Sequence, residues 1–200
     1  MTNYLGREVT KKILADSLKK IMTHKALEKI SIREITEECG FNRQTFYYHF
    51  KNIYDLLEWL YKKEAIALFE HQEGVLLWQE GLLQLFNYIE ENKDMCLCTL
   101  KSLGHKYLFQ FFYDDVHRIF KNTINTFAEE LDISENNKEL MTQVYVISFG
   151  SIIESWLHGN IKQTPEELIS FIDLMLHDQM RGAALRVGTS NLYDNEKGHK

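Results

Sequence analysis

Apolar residues recur every three or four positions along almost the whole chain, and only one proline, Pro165, interrupts it. That pairing restricts the fold more than any motif does. Side chains three and four apart share one face of an α-helix, whereas a half-buried strand needs strict alternation. Ile13, Leu14, Leu18, Ile21 and Met22 form one such stripe, with Lys11, Lys12, Lys19 and Lys20 off it. Ile32, Ile35 and Cys39 form a short second stripe, and Leu56, Leu57, Leu60, Ala67 and Leu68 a third. Helical spacing continues through 75–92, 94–101, 105–131, 136–158 and 165–180. No segment sustains a two-residue alternation, and proline is too scarce for a turn-rich β protein. The expectation is an all-α chain of about nine helices, with 200 residues enough for one or two compact domains.

Several helix ends are readable from the chemistry of capping. Ser31-Ile32-Arg33-Glu34 has the form of a capping box, in which the Ser31 hydroxyl accepts from the third amide and Glu34 reaches back to the cap amide. Thr164-Pro165-Glu166-Glu167 repeats it with proline at the first helical position, where a missing N–H costs nothing. Gly40 sits where a left-handed residue ends a helix, and Asn42 is placed to cap the next one. Gly104 and Gly159 mark further breaks. From 181 to 200 the periodicity fades around Gly182, Gly188 and Gly198, so this stretch is expected to be a disordered tail.

The net charge of −6 argues, over the whole chain, against a general polyanion binder. By position it reads differently. Residues 1–52 hold ten Lys and Arg against six Asp and Glu, while the remainder holds thirteen against twenty-three. A basic N-terminal unit precedes an acidic helical body. No acid occurs between Glu38 and Asp55.

Other function classes find little support. Cys39, Cys96 and Cys98 match neither a zinc spacing nor a redox C-x-x-C and read as neutral thiols of a reducing compartment. His105, His117, His158 and His177 are scattered, without H-E-x-x-H or triad spacing. Asp114, Asp115 and His117 diverge around a helix axis, and no Gly-rich phosphate loop is present. The expectation is a protein that is not an enzyme and uses no metal or cofactor. The N-terminus lacks an apolar signal core and no apolar run approaches a membrane span, so a cytoplasmic protein without membrane contact is expected.

Residues 31–50, SIREITEECGFNRQTFYYHF, describe a capped helix, a tight turn at Gly40-Phe41 and a second capped helix. That is the arrangement of a helix-turn-helix, whose second helix enters the major groove. The second helix carries Arg43, Gln44, Thr45, Tyr47, Tyr48 and His49, with Phe46 and Phe50 four apart to anchor it. Tyr47, His49, Thr45 and Lys51 are candidate phosphate contacts. Arg43 and Gln44, near the start of the helix, are candidates for reading guanine and adenine. Tyr48 suits either role, and Ser31 begins a helix whose dipole favours a phosphate.

In these residues the segment resembles the DNA-binding head of the TetR family of bacterial transcription regulators. The family's Thr-aromatic-Tyr-x-His-Phe run is present as Thr45-Phe46-Tyr47-Tyr48-His49-Phe50, and Ile13-Leu14, Ser31, Ile35, Gly40 and Asp55-Leu56-Leu57 also fit. The likeness covers about residues 8–70, with Ile53 where many members carry lysine. The run Asn42–Trp59 and the stretch Phe149–Glu167 resemble a narrower Firmicutes-type subgroup that includes dihydroxyacetone kinase operon activators. The resemblance implies a homodimer on a pseudo-palindromic double-stranded DNA operator, with an effector acting at the C-terminal domain. The effector class stays open between a small molecule and, as the activator subgroup implies, a partner protein.

On this reading 1–53 is the DNA-binding domain, with its helix-turn-helix at 31–50. Residues 54–180 form the effector-binding and dimerisation domain, with helix four as connector. The aromatic-rich body offers Trp78, Phe86, Phe109, Phe112, Tyr113, His117, Tyr145 and Phe149 as candidate ligand-pocket residues. Small residues Gly150, Ser151 and Ser155 flank large ones in a helix suited to close approach. With the helix after Pro165 it supplies the candidate dimer residues Ile152, Ile153, Trp156, Leu168, Phe171, Ile172 and Met175.

Overall fold

The computed structural model describes residues 2–69, 78–129, 131 and 133–197. Among them the chain is helical throughout: α1 (Thr2–Met22), a 3-10 turn (Leu27–Lys29), α2 (Ile32–Glu38), α3 (Arg43–His49), α4 (Ile53–Phe69), α5 (Trp78–Glu91), α6 (Lys93–Leu103), α7 (His105–Gln110), α8 (Tyr113–Phe127), α9 (Glu135–Leu157) and α10 (Pro165–Lys197). Residues 75–77 of the helix expected from 75, residue 130, and 198–200 of the expected tail lie outside the described residues.

The expected all-α class is the observed one, with ten α-helices among the described residues. The extra helix comes from 105–131, which divides into α7 and α8 at Phe111-Phe112. Both rings at that break are claimed by Tyr61 of α4. Phe111 stacks on it at 4.6 Å between centroids and Phe112 meets it edge-on at 5.7 Å. At the C-terminus α10 continues to Lys197, through the segment from 181 where a disordered tail was expected. Isolated glycines such as Gly182 and Gly188 cost a helix about 1 kcal/mol each relative to alanine and do not by themselves end one.

The chain divides into two compact units. One takes in α1 to α4 together with residues 88–112; the other takes in residues 78–87 and the chain from Tyr113 onward. In the first unit Leu14, Leu18, Ile35, Phe46, Leu56 and Leu57 are fully buried where α1 to α4 meet. The stripe on α1 is rotated slightly from its expected position: Ala15 is buried, while Ile13 is 38% exposed. Among the described residues no buried side-chain nitrogen or oxygen lacks a hydrogen-bond partner. The buried Tyr61 hydroxyl pairs with Thr99 Oγ1 at 2.9 Å, and Thr99 donates in turn to the Met95 carbonyl at 3.0 Å. Burial raises the Tyr61 phenol well above its ordinary range.

Lys19, Glu64 and Tyr88 tie α1, α4 and the last turn of α5 together. Lys19 Nζ donates to both Glu64 oxygens at 2.9 and 3.1 Å, and the Tyr88 hydroxyl donates to Glu64 Oε2 at 2.6 Å. Burial, with the Glu64 carboxylate beside it, keeps the Tyr88 phenol protonated. Helix four, expected as the connector to a body beginning at 54, is therefore packed and hydrogen-bonded on α1.

In the second unit α8 packs against α9 and α10. Its core is aromatic: Phe86 meets Phe149 edge-on at 5.6 Å and Trp156 at 5.1 Å, and Phe120 packs on Phe149 and Tyr145. Both expected features at the start of α10 are present, since Thr164 N donates to Glu167 Oε2 at 2.9 Å and Glu167 N to Thr164 Oγ1 at 3.3 Å.

Candidate nucleic-acid interface

The local rules that build α2 and α3 also decide which of their side chains are free. The Ser31 hydroxyl accepts from Glu34 N at 3.3 Å while Glu34 Oε2 accepts from Ser31 N at 2.9 Å and from Ser31 Oγ at 2.8 Å. The Lys25 ammonium bonds Glu34 as well, and together these donors hold its carboxyl down at about 2. The helix closes on Gly40 at φ 71°, a left-handed conformation that favours glycine. Phe41 N donates to the Thr36 carbonyl at 2.9 Å and Gly40 N to that of Glu37 at 3.3 Å, the paired bonds of a Schellman ending. Asn42 then caps α3: its Oδ1 accepts from Thr45 N at 2.8 Å and from Thr45 Oγ1 at 3.1 Å.

Helix α3 has one anchored face. Phe46 is fully buried and Phe50, just past the helix, is nearly so; their rings lie 5.9 Å apart. The other face is open. Tyr47 is 59% and Tyr48 64% exposed, and Arg43, Gln44 and Lys51 are exposed too. Among the described residues Arg43, Gln44 and the Lys51 ammonium have no side-chain partner, whereas the Lys51 amide donates to Asp55 Oδ2 at 2.9 Å. The structure thus exposes Arg43, Gln44, Tyr47 and Tyr48 on α3 and Lys51 in the turn just past it, and gives the hydroxyls of Ser31 and Thr45 to the caps.

Helix α1 adds charge beside this face that the motif alone does not indicate. The Arg7 guanidinium donates to the Tyr48 hydroxyl and lies over the Tyr48 ring, 5.4 Å from its centroid. Lys11, one turn further along, lies over the Trp59 ring at 5.6 Å and pairs with Glu8 at 3.2 Å. His49 is half-buried, with its ring edge-on to Tyr48 at 4.9 Å. Burial, and then the positive charges of Lys11 and Arg7, pull the His49 imidazole below its ordinary value. The available signal in the sequence was the i, i+4 spacing of Arg7 and Lys11 off the α1 stripe, but nothing there tells that Arg7 meets a residue 41 positions away.

The expected effector residues divide between the two units. Phe109 and Phe112 belong to the first unit; Trp78, Phe86, Tyr113, His117, Tyr145 and Phe149 belong to the second. Trp78, Phe86, Phe112, Tyr145 and Phe149 are buried. Tyr113 stacks on His117 at 5.8 Å near the surface, and His117 Nε2 lies 3.3 Å from Glu139 Oε1. Asp115 pairs with Arg118 at 2.8 Å.

The expected dimer residues also separate. Ile153, Leu168 and Ile172 are buried inside the protomer, Ile152 and Trp156 are half-buried, and Phe171 and Met175 are exposed. Exposed beside the last two is Leu174, and α9 presents Leu140, Val144 and Ile147. These two apolar stripes lie on helices joined by the Tyr145 hydroxyl, which donates to Gln179 Oε1 at 2.8 Å. Among the described residues no helix is long and apolar enough to cross a membrane.

Comparison with known proteins agrees with this architecture. Residues 15–60 match the family described as bacterial regulatory proteins, tetR family, and residues 77–178 match the transcriptional regulator C-terminal region. Over 85 residues the chain is 34% identical to the HTH-type dhaKLM operon transcriptional activator DhaS of Lactococcus lactis subsp. lactis (strain IL1403). That match covers 42% of this chain and 46% of the relative, so it spans less than half of that relative's length. A solved structure of a dihydroxyacetone kinase operon activator DhaS superposes with a TM-score of 0.71 at 26% identity, covering 88% of this chain and 98% of that one. A TetR transcriptional regulator from Streptococcus agalactiae 2603V shares the fold at a TM-score of 0.66 and 23% identity, with the same coverage.

Proposed function

The chain belongs to the TetR family of bacterial transcription regulators, DNA-binding proteins rather than enzymes, and on that footing we propose that it binds a pseudo-palindromic operator as a homodimer through α3. The observation that carries this reading is the two-faced α3: Phe46 and Phe50 fix it to the core, while Arg43, Gln44 and Tyr47 stand exposed. Arg43 donates to guanine and Gln44 pairs with adenine, whereas Tyr47 and Lys51 hold the backbone. The exposed stripes Leu140, Val144 and Ile147 on α9 and Phe171, Leu174 and Met175 on α10 support a four-helix dimer seam. Selection of duplexes from a random library, followed by footprinting, tests the whole reading. Two half-sites about 34–36 Å apart, one helical turn, are expected. Arg43→Ala should cost about 1–3 kcal/mol at one base position. Equal binding by wild type and Arg43→Ala across point-mutated operators would sink the base assignment.

The signal reaches the C-terminal unit from a partner protein, in our reading, and the chain acts as an activator. Close ring contacts of Phe86, Phe120, Tyr145, Phe149 and Trp156 with one another favour a packed core over an apolar ligand chamber. The activator role is supported by the likeness to DhaS, named as an activator in both comparisons. A reporter driven by the selected operator should rise on expression of the chain. A fall, or a metabolite co-purifying stoichiometrically with the protein, would overturn this part.

A further inference from the structure

We propose that Arg7 belongs to the DNA-binding surface, where it and Tyr48 form a two-donor clamp on one backbone phosphate. The proposal rests on the DNA-binding reading above and adds to it a residue of α1, outside the helix-turn-helix. Arg7 and Tyr48 are both exposed, and they are joined by a hydrogen bond from guanidinium to phenol oxygen and by the guanidinium lying over the ring at 5.4 Å. A phenol whose oxygen accepts from Arg7 still has its own O–H to donate, and a guanidinium with five N–H groups keeps most of them. Every remaining polar hydrogen of the pair is a donor, and the pair carries one positive charge. An anionic oxygen suits that set; a base edge presenting an amino group does not.

The surroundings point the same way. Lys11 follows Arg7 by one turn, His49 adjoins Tyr48, and Glu8 is already paired with Lys11. The run without an acid from Cys39 to Tyr54 keeps α3 itself free of negative charge. His49 binds a proton less readily than a free imidazole, first because it is partly buried and then because Lys11 and Arg7 place positive charge near it. The clamp also divides labour on α3. Arg43 and Gln44 face bases, while Tyr48, pinned from α1, sets the register of the helix on the backbone.

The test uses the full chain with two probes, a selected operator and a mixed-sequence duplex. Removing one phosphate contact lowers the slope of log K against log salt by about 0.9. The wild-type advantage over Arg7→Ala should therefore shrink roughly 3–4-fold between about 50 and 200 mM salt, on both probes alike. Arg7→Lys should keep the slope, because it keeps the charge. Tyr48→Phe should weaken both probes equally without changing base preference, and its loss should overlap with that of Arg7→Ala in the double variant. A wild-type slope for Arg7→Ala, or a Tyr48→Phe defect confined to one base position, overturns the clamp. If wild type binds neither probe, the DNA-binding reading itself fails, a result distinct from either of these.

Discussion

Phe46 and Tyr47 are adjacent on α3 and should behave oppositely when truncated. Phe46 is 0% exposed, with its ring 5.9 Å from Phe50 and edge-on to Tyr47 at 5.8 Å. Phe→Ala at a fully enclosed site loses the transfer energy of the ring and leaves a cavity, together about 3–5 kcal/mol. A domain stable by about 5–15 kcal/mol gives up a large share of that. Tyr47→Ala removes a mostly solvated ring whose one edge contact is worth about 0.5–1.5 kcal/mol, so its cost should stay near or below about 1 kcal/mol. Urea unfolding followed by far-UV circular dichroism should show a large fall in midpoint for the first variant and a small one for the second. Duplex binding should reverse the order of importance: Tyr47→Ala folds and binds weakly on every sequence. Tyr47→Phe isolates the hydroxyl and should weaken all sequences alike. A Phe46→Ala cost below about 1.5 kcal/mol would refute the anchoring role, given the range expected for this truncation. A Tyr47→Ala variant as unstable as Phe46→Ala would refute the division between the two faces.

Glutamate at Ile147 and Phe171, which are 64% and 58% exposed, should leave the protomer folded and convert a dimer to a monomer in analytical ultracentrifugation. An unchanged dimer would remove these stripes from the seam. His49 has a folded pKa below its unfolded value of about 6.5, so the unfolded chain takes up the proton first as pH falls. Stability is unaffected by this group above neutral pH and declines from about 6.5 downward; His49→Asn should flatten that acid-side decline in urea midpoints. Burial raises the Cys98 thiol and pushes Cys96 up to about 12. Alkylation of the folded chain near pH 8 should therefore label the half-buried Cys39 and spare the other two until urea is added. Ser31→Ala should cost about 1 kcal/mol through the lost cap, and an effect on base preference instead would contradict the cap geometry.

Capping and turn chemistry were legible in advance because each depends on residues within four positions of one another. Ser31 with Glu34, Asn42 with Thr45 and Thr164 with Glu167 all form the bonds their spacing implies. Which face of a long helix turns inward was less legible. On α9 and α10 apolar residues occupy two sides, and a 3.6-residue period marks both without saying which packs in the protomer. Ile153, Leu168 and Ile172 fell on the inner side; Val144, Ile147 and Leu174 remained outside. Aromatic content was equally ambiguous, since rings that could line a chamber can also fill it, as Phe86 and Phe149 do against each other. The break at Phe111-Phe112 and the meeting of Arg7 with Tyr48 depend on partners 50 and 41 positions distant, beyond any local pattern.

The same short-range bonds that made the helix-turn-helix legible narrow what it can offer to DNA. A hydroxyl committed to a cap has less left to give: Thr45 Oγ1 already donates to Asn42, and Ser31 Oγ to Glu34. Their value lies in the entry angles of α2 and α3, which set where the exposed groups point. What remains uncommitted on α3 is a long cation at Arg43, an amide at Gln44 and a phenol at Tyr47, with Lys51 just past the helix. On the proposed reading, long, free side chains near the start of the helix would reach base edges, and groups toward its end would reach the backbone. That reading would separate specificity from placement along a helix of seven residues, and the net charge of −6 has little bearing on either, because the acids that produce it lie elsewhere in the chain.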